Sequence, residues 1–194
     1  MRTQTPAPAR TPPALPTLEA GPWRLRPWRV DDAAALAAAV RESLERFAPW
    51  LAWAHRDYDT LDAVAFIAGS LEGWQRGERY AFAVVDSRDG GLVASADLSQ
   101  LDERQRSANL GYWVRSGCQG RGICPRIVPA VARFGFEALG LVRVEIVADL
   151  RNRASRRVAE KAGARFEGIA RQRLMDGDRR RDAAVYALIP ADLG

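Results

Sequence analysis

The sequence predicts a single mixed α/β domain, and three observations support this fold class. Strand-like and helix-like segments alternate along almost the whole chain, in the order β-α-α-β-β-β-α-β-α-β-β. With 194 residues, the chain is long enough to bury one ordinary core. No apolar run reaches the roughly 18 residues that a membrane helix needs. The sequence therefore predicts one domain around one sheet, and no membrane partner.

The first 22 residues are expected to form a disordered tail. They hold six of the eleven prolines and one acidic residue, Glu19. A segment of this composition buries too little apolar surface to fold, and it lacks the apolar stretch of a secretory signal. We therefore place the tail at residues 1–22 and the folded domain at residues 23–194.

The first half of the domain is expected to contain two helices and four strands. Alternating apolar residues predict a strand at residues 23–30, and Asp31 is expected to cap a helix that ends near Arg46. Thr60 is expected to cap a second helix that ends near Arg76. Further strands are predicted at residues 80–86, 92–101 and 108–114, the first two joined by the turn SRDGG.

The second half of the domain is expected to contain two helices and three strands. The helices are predicted at residues 127–139 and 155–161, and Gly163 ends the second one. The strands are predicted at residues 142–149, 165–174 and 183–189, with the turn DGD between the last two. Together these elements predict a mixed sheet of about seven strands flanked by about four helices.

The chain carries a net charge of +5, and all but one of its basic residues are arginine. A pI near 9.8 favours an anionic partner such as a nucleotide, a nucleic acid or an acidic protein. Two loops are rich in arginine, with Arg115, Arg121 and Arg126 around the first and Arg151, Arg153, Arg156 and Arg157 in the second.

The two cysteines, Cys118 and Cys124, lie in one loop with no histidine nearby. They form neither a disulfide framework nor a set of zinc ligands. We therefore expect no metal, and a reduced, cytoplasmic location.

The stretch GYWVRSGCQGRGICPRIV, residues 111–128, passes from a strand through a glycine-rich loop into an apolar helix. A helix N-terminus offers unpaired N–H groups and a partial positive charge to a phosphate, and glycines let the backbone approach closely. The loop lacks the Gly-Lys-Ser/Thr ending of a Walker A motif and the third glycine of a dinucleotide fingerprint. Taken alone, it fits either a phosphate cradle or an ordinary strand–helix turn.

Several spaced motifs in this chain carry a resemblance to a known family. The pattern Gln119-x-x-Gly122-x-Cys124 resembles the Q/R-x-x-G-x-G/A acyl-CoA loop of the GNAT N-acetyltransferases. The pattern Asn152-x-x-Ser155, followed by AEKAGARFEG, resembles the N-x-x-S helix of the same superfamily and its exit. The stretches LRPWRVDD, APWLAW, NLGYWV and DGDRRRDAAVYAL are similar to the RimJ/RimL branch, which acetylates ribosomal-protein N-termini. The resemblance covers residues 23–193.

The resemblance implies a GNAT fold, in which two neighbouring strands are splayed in the middle of the sheet and the pantetheine arm of acetyl-CoA lies in the gap. Here those strands would be residues 108–114 and 142–149. The residues implied in acetyl-CoA binding are Trp113, Val114, Gln119, Gly120, Arg121, Gly122, Ile123, Cys124, Arg126, Asn152, Ser155 and Arg156. For each of these arginines, a solvated surface charge is the alternative.

Two positions depart from the family pattern of the loop. Cys124 stands where the family has glycine or alanine, and Pro125 removes one N–H group from the phosphate cradle. Pro129 follows four residues later and could kink the helix. We expect acetyl-CoA binding to persist.

The resemblance also implies roles in the transfer itself. The backbone N–H of Val114 is expected to stabilise the oxyanion, and Ser155 is assigned as the general acid for the thiolate, with a first-turn helix serine as the alternative. The acceptor side is assigned to Trp50, Trp53, His55, Trp74 and Asp97, for which core packing or surface exposure is the alternative. A general base is not identified. An α-amine with a pKa near 7.7–8.0 tolerates a weak base better than a lysine does.

Three function classes remain open at this point. The first is an acetyl-CoA-dependent acetyltransferase acting on a protein N-terminus. The second is an acyltransferase acting on a small amine, such as an antibiotic, a polyamine or an amino acid. The third is a non-catalytic, arginine-rich module for nucleic acid, against which the lack of aromatic–basic platforms and of a helix-turn-helix signature argues. Dimers are common in the family, so a homodimer is also implied.

Overall fold

The computed structural model describes residues 15–194, which form one sheet of eight strands with four α-helices. The strands are β1 (Leu18–Ala20), β2 (Trp23–Pro27), β3 (Tyr80–Asp86), β4 (Leu92–Asp102), β5 (Ser107–Val114), β6 (Arg143–Asp149), β7 (Arg165–Asp176) and β8 (Arg179–Leu188). The helices are α1 (Ala33–Phe47), α2 (Thr60–Arg76), α3 (Ile123–Leu139) and α4 (Arg153–Lys161). The mixed α/β fold class is confirmed.

The strands follow one another in the sheet in the order β1-β2-β3-β4-β5-β6-β8-β7. Every neighbouring pair is antiparallel except β5 and β6, which are parallel. Parallel neighbours need a crossover connection, and α3 provides it. The mixed sheet of the described residues therefore has one parallel pair, β5 and β6, near its middle.

The eighth strand, β1, lies inside the segment predicted as a tail. It pairs antiparallel with β2, with Ala20 opposite Trp23, and Ala20 is buried. The proline-rich composition of residues 1–22 concealed this short strand, because three residues are too few to show a periodic pattern. The predicted boundary at residue 22 is therefore too late, and residues 1–14 of the predicted tail lie outside the described part of the chain.

The two faces of the sheet are covered by different helices. One core cluster joins α3 to the sheet through residues such as Leu98, Leu110 and Ile127, and a second one joins α1 and α2 to the sheet through Leu36 and Ile67. All residues of β3 are buried because helices cover both of its faces. Within residues 15–194, no helix is long and apolar enough to cross a membrane.

The starts of the first two helices differ from the sequence prediction. A 3-10 turn, Val30–Asp32, precedes α1, and the carboxylate of Asp32 rather than that of Asp31 accepts the Arg29 N–H, at 2.8 Å. Asp59 rather than Thr60 caps α2, since its carboxylate accepts the N–H of Leu61 at 2.7 Å. Helix α1 thus starts after Asp32 without a side-chain cap, and the cap of α2 is one residue before the predicted one.

The start of α3 differs more, because the helix begins at Ile123 instead of residue 127. Pro125 lies in its first turn, where no intrahelical N–H bond is lost. The helix extends through Pro129 to Leu139. The free N–H groups of its first turn therefore follow the glycine loop directly.

Candidate active site

The parallel strands β5 and β6 are paired only at their beginnings. Three residue pairs connect them, and the last one joins Asn109 to Glu145. Beyond this point β5 continues in pairing with β4 up to Val114, while β6 continues in pairing with β8 up to Asp149. The two strands thus separate and leave a gap in the middle of the sheet, at the place where the resemblance implied one.

The pairing of β5 with β4 determines which backbone groups face the gap. The Arg115 N–H donates to the Val93 carbonyl at 3.0 Å, so the N–H of Arg115 points toward β4. Because backbone groups alternate in direction along a strand, those of Trp113 also point toward β4, and those of Tyr112 and Val114 point toward the gap. The backbone groups of Trp113, which the resemblance implied in acetyl-CoA binding, therefore do not face the gap, and those of Tyr112 do.

The glycine loop between β5 and α3 is fastened to α1. The carboxylate of Glu42 accepts the Gly117 N–H at 2.8 Å and Nε–H of Arg115 at 2.6 Å. The Ser43 hydroxyl oxygen accepts the Ser116 N–H at 2.9 Å. The Gly117 N–H, together with the Arg115 guanidinium, holds the pKa of Glu42 below its usual range. The position of the loop is thus set by the protein itself.

Two glycines open the end of this loop. Gly120 and Gly122 have φ values of +76° and +73°, in the left-handed region that favours glycine. A Cβ atom placed on either residue would meet nothing within 4 Å. The space next to the backbone is therefore free at the N-terminus of α3, where unpaired N–H groups attract a phosphate.

The arginines assigned to phosphates have different surroundings. Arg121 donates to the carboxylate of Asp86 at 2.9 Å, and Arg156 donates to the Leu150 carbonyl at 3.2 Å and to the Tyr186 hydroxyl at 3.3 Å. Arg126 is exposed in the first turn of α3. Arg126 is thus the best placed of the three to meet a phosphate without exchanging a partner.

The remaining loop side chains contribute little to a binding surface. Cys124 is 4% exposed, and its burial raises the pKa of its thiol to about 12. Ile123 is also buried, and Gln119 ends the 3-10 turn Ser116–Cys118. At Ile123 and Cys124, the backbone N–H groups are what the loop could offer to an anion, whereas the Gln119 N–H already donates to the Ser116 carbonyl at 3.3 Å.

The beginning of α4 lies across the gap from β5. The side-chain oxygen of Asn152 accepts the Ser155 N–H at 3.0 Å, so Asn152 caps this helix. The hydroxyl of Tyr112 donates to the Ser155 carbonyl at 2.9 Å and lies 3.1 Å from the Ser155 hydroxyl oxygen. Burial raises the pKa of Tyr112, so the phenol stays protonated. Tyr112 therefore connects the two sides of the gap through Ser155.

Tyr112 was not among the residues that the sequence singled out. Its side chain alternates with that of Trp113 and therefore lies on the opposite face of β5. An aromatic residue inside an apolar strand is typical of a core position, and only the spatial approach of α4 gives its hydroxyl a partner in the site. One signal was available in the sequence: Tyr112 lies two residues before Val114, so the backbone groups of both residues point in the same direction.

The tryptophans assigned to the acceptor side have different surroundings. Trp50 and Trp53 are 39% and 38% exposed, and the guanidinium of Arg151 lies 5.6 Å from the ring of Trp50. Trp53 contacts Phe47, and Phe47 contacts Trp113 at 5.4 Å between ring centroids. These rings form an aromatic surface, Phe47–Trp53–Trp113 with Trp50 beside it, on the side of the sheet covered by α1 and α2.

Trp74 does not belong to this surface, and its assignment to the acceptor side is wrong. The ring is 2% exposed and lies 4.8 Å from the ring of Tyr80 and 5.8 Å from that of Phe134. Its indole N–H donates to the Ala81 carbonyl at 2.9 Å. The helical spacing of Trp74 indicated a core position, and that alternative is the observed one.

The other two residues assigned to the acceptor side lie on the same side of the sheet. The His55 ring is half exposed, with Nε2 3.7 Å from the carboxylate of Asp62. Asp97 pairs with Arg79 at 2.9 Å, and burial raises the pKa of Asp97 although Arg79 opposes this shift. A Cβ on Gly111 would come within 2.9 Å of an oxygen of Asp97, so the carboxylate lies over that glycine, next to the gap.

The site brings together backbone N–H groups, a hydroxyl pair and an aromatic surface, and no set of metal ligands is part of it. Among the described residues, no group of three or more His, Cys, Asp or Glu side chains could hold a metal ion. N–H groups directed into a gap stabilise negative charge that develops there, and a hydroxyl can protonate or hydrogen-bond a leaving group. Such an arrangement is suited to group transfer through an oxyanion.

Comparison with known proteins identifies relatives of this chain. Relatives include the Bacillus subtilis (strain 168) protein YdaF, whose name describes a ribosomal N-acetyltransferase. It is 30% identical over 162 residues, which are 81% of this chain and 86% of the relative. The ribosomal-protein-serine acetyltransferase of Escherichia coli (strain K12) is 25% identical over 146 residues, which are 75% of this chain and 79% of the relative.

Solved structures give the same result for the fold. The structure of Mycobacterium smegmatis RimJ in complex with CoA-disulfide superposes with a TM-score of 0.83 at 26% identity, and the match covers 94% of this chain and 90% of that one. The family model described as an acetyltransferase (GNAT) domain matches residues 23–165. The chain belongs to the GNAT acetyltransferase family.

Proposed function

We propose that this enzyme transfers the acetyl group of acetyl-CoA to the α-amine of a protein N-terminus. The observation that carries the proposal is the gap between β5 and β6, with the Tyr112–Ser155 contact across it. The gap has a phosphate-attracting loop at one end and an aromatic surface on one face. Acetyl-CoA would therefore enter the gap from the end with the loop, and the amine would reach its thioester from the face with the aromatic surface.

The donor fits the residues that are present. The free space at Gly120 and Gly122 and the N–H groups of Ile123 and Cys124 suit a pyrophosphate. The backbone groups of Tyr112 and Val114 face the gap and suit the amides of a pantetheine arm. Arg126 would contact a phosphate directly, whereas Arg121 and Arg156 would first exchange their present partners.

In the transfer, the nitrogen lone pair of the amine attacks the thioester carbonyl carbon, and the Val114 N–H donates to the developing oxyanion. The carbon–sulfur bond then breaks. The Ser155 hydroxyl gives its proton to the departing sulfur and regains one from water, and the proton released by the amine leaves to water. We propose Ser155 as the general acid and Tyr112 as the residue that positions it.

The acceptor class is supported by the amine chemistry and by the relatives. An α-amine is roughly one-tenth neutral at pH 7, whereas a lysine amine is neutral in well below one molecule in a thousand. An α-amine therefore needs little help from a base. The names of the relatives describe ribosomal-protein acetyltransferases. A cytoplasmic location and a homodimer remain predictions from the sequence.

The proposal is tested by measuring release of the CoA thiol with three groups of acceptors. These are peptides with free N-termini, the same peptides with blocked N-termini and one internal lysine, and small amines such as spermidine. We expect turnover with the free N-termini alone. Turnover with the small amines and none with the peptides would replace the proposal by a small-molecule acyltransferase.

A further inference from the structure

The hairpin formed by β7 and β8 carries an excess of positive charge. Residues 171–182 contain five arginines and three aspartates. Among these, Arg181 pairs with Asp176, and Asp182 accepts the Gln172 N–H at 2.8 Å. Within the described part of the chain, four arginines of the hairpin make no ion pair, and all four are exposed: Arg171, Arg173, Arg179 and Arg180. We call these four residues the hairpin arginines.

The hairpin is connected to the mouth of the gap by a continuous line of contacts. Trp50 contacts Arg151, which donates to the carboxylate of Asp149 at the end of β6. Arg181 lies 3.8 Å from the same carboxylate and pairs with Asp176 on β7. This line begins at the aromatic surface and ends in the hairpin, so both belong to one rim of the gap.

Of the hairpin arginines, Arg179 continues this rim outward. Arg179 lies two residues from Arg181 on β8 and projects from the same face of the hairpin. The two positions are about 7 Å apart along the strand. An extended peptide whose amine enters the gap near Asp149 would place its next residues along this face, one residue for about every 3.3 Å.

We infer that the acceptor is acidic, with carboxylate side chains among the residues that follow the reacting amine. This inference rests on the proposed function. Asp149 and Asp176 are paired with Arg151 and Arg181, and the exposed hairpin arginines outnumber the exposed Asp178, so the charge left for a partner is positive. Complementary charge of this kind raises the rate of encounter and excludes partners of the wrong sign.

The size of the expected preference follows from the exposure of these residues. One exposed pair of opposite charges changes affinity by about two- to fivefold. Two such pairs predict about a tenfold difference between an acidic and a basic acceptor. The difference shrinks in high salt, because the screening length falls from about 10 Å at 0.1 M to about 3 Å at 1 M.

The experiment uses three hexapeptides that begin with serine and carry two glutamates, two glutamines or two arginines at the third and fourth positions. We expect kcat/KM to fall in that order, by about tenfold from the first peptide to the last. The variant Arg179→Glu should invert the order, and Arg180→Glu, which places the same charge on the opposite face of the hairpin, should change it less. The control is Arg104→Ala, an exposed arginine in the turn at the other end of β5, which should retain the wild-type order.

The outcomes separate the inference from the function on which it rests. Turnover with none of the peptides would contradict the proposed function. Equal turnover with all three peptides, or an unchanged order in the charge-reversed variant, would overturn the inference alone. If an RNA oligonucleotide binds the wild type and not the charge-reversed variant, while the three peptides react equally, the hairpin is a nucleic-acid surface and the inference is wrong.

Discussion

The contact between Tyr112 and Ser155 leads to the sharpest test of the proposed chemistry. If the Ser155 hydroxyl donates to the departing sulfur, Ser155→Ala should lower kcat and leave the affinity for acetyl-CoA nearly unchanged. A hydrogen bond to a charged group contributes about 1.5–3 kcal/mol. At 1.36 kcal/mol for each factor of ten, this corresponds to a loss of about 10- to 100-fold in kcat.

The same change should cost little stability. The cap of α4 is the Asn152 side chain bonded to the backbone N–H of Ser155, and alanine keeps that N–H. The Tyr112 hydroxyl keeps its bond to the carbonyl of residue 155. Only the 3.1 Å contact between the two hydroxyls is lost, at a cost of about 0.5–1.5 kcal/mol. For a domain of this size, the melting temperature should fall by about 1–6 °C.

Tyr112→Phe tests the positioning role in the same assay. The variant keeps the Ser155 hydroxyl and loses the group that orients it, so we expect a loss of kcat of about 3- to 10-fold and an unchanged KM for acetyl-CoA. The double variant should lose little more than Ser155→Ala alone, because residues that act through one contact are not additive. The control is Tyr186→Phe. The hydroxyl of Tyr186 donates to Glu160 of α4, the helix that carries Ser155, so its loss should change stability alone.

Two results would refute this reasoning. If Ser155→Ala lowers the melting temperature and leaves kcat unchanged, Ser155 is a structural residue of the first turn of α4. If the effects of the two single variants on kcat multiply in the double variant, Tyr112 does not act through Ser155.

Two further predictions concern the glycine loop and its anchor. Gly122→Val should weaken CoA binding in calorimetry at least about tenfold more than the control Gly177→Val. Both positions have positive φ and free space, and valine causes a similar strain of about 1–2 kcal/mol at each, but only Gly122 lies at the start of α3. Equal affinities in the two variants would exclude the loop as the binding site. Asp86→Asn should lower the melting temperature at pH 7, because hydrogen bonds from Arg88 and Arg121 hold the pKa of Asp86 far below its usual range. A lowered pKa stabilises the folded state above the unfolded pKa, near 3.9, so the difference from the wild type should persist at pH 5 and shrink only below about pH 4; a difference that disappears between pH 7 and pH 5 would contradict this assignment.

The sequence predicted the gap more reliably than it predicted the residues around it. The order of the elements and the motif spacing located β5, β6 and the glycine loop, because these features depend on local periodicity and on turn residues. The exclusion of Trp74 depends on its contact with Phe134, more than fifty positions away in the chain. Local patterns do not encode such contacts, and the helical spacing of Trp74 gave only an indication of its core position.

The partner of a polar group is equally hidden from the sequence. The arginines at positions 121 and 156 carry the same charge as Arg126, and the spacing of the motif favours all three for phosphate. The structure commits Arg121 to Asp86 and Arg156 to Leu150 and Tyr186. The strand register likewise decides that the backbone groups of Tyr112, and not those of Trp113, face the gap. This register is determined by pairing with β4 rather than by the sequence of β5 alone.

The hydrogen bonds that hold the gap open lie outside it, and this has a consequence for catalysis. β5 is bonded to β4, its loop is bonded to Glu42 and Ser43, and β6 is bonded to β8. None of these bonds needs to break when a pantetheine arm enters, so much of the ordering cost of a binding site is already met by the fold. The Tyr112–Ser155 contact does cross the gap. Because the fold already holds both side chains, Tyr112 orients the Ser155 hydroxyl before the donor arrives, beside the place proposed for the departing sulfur.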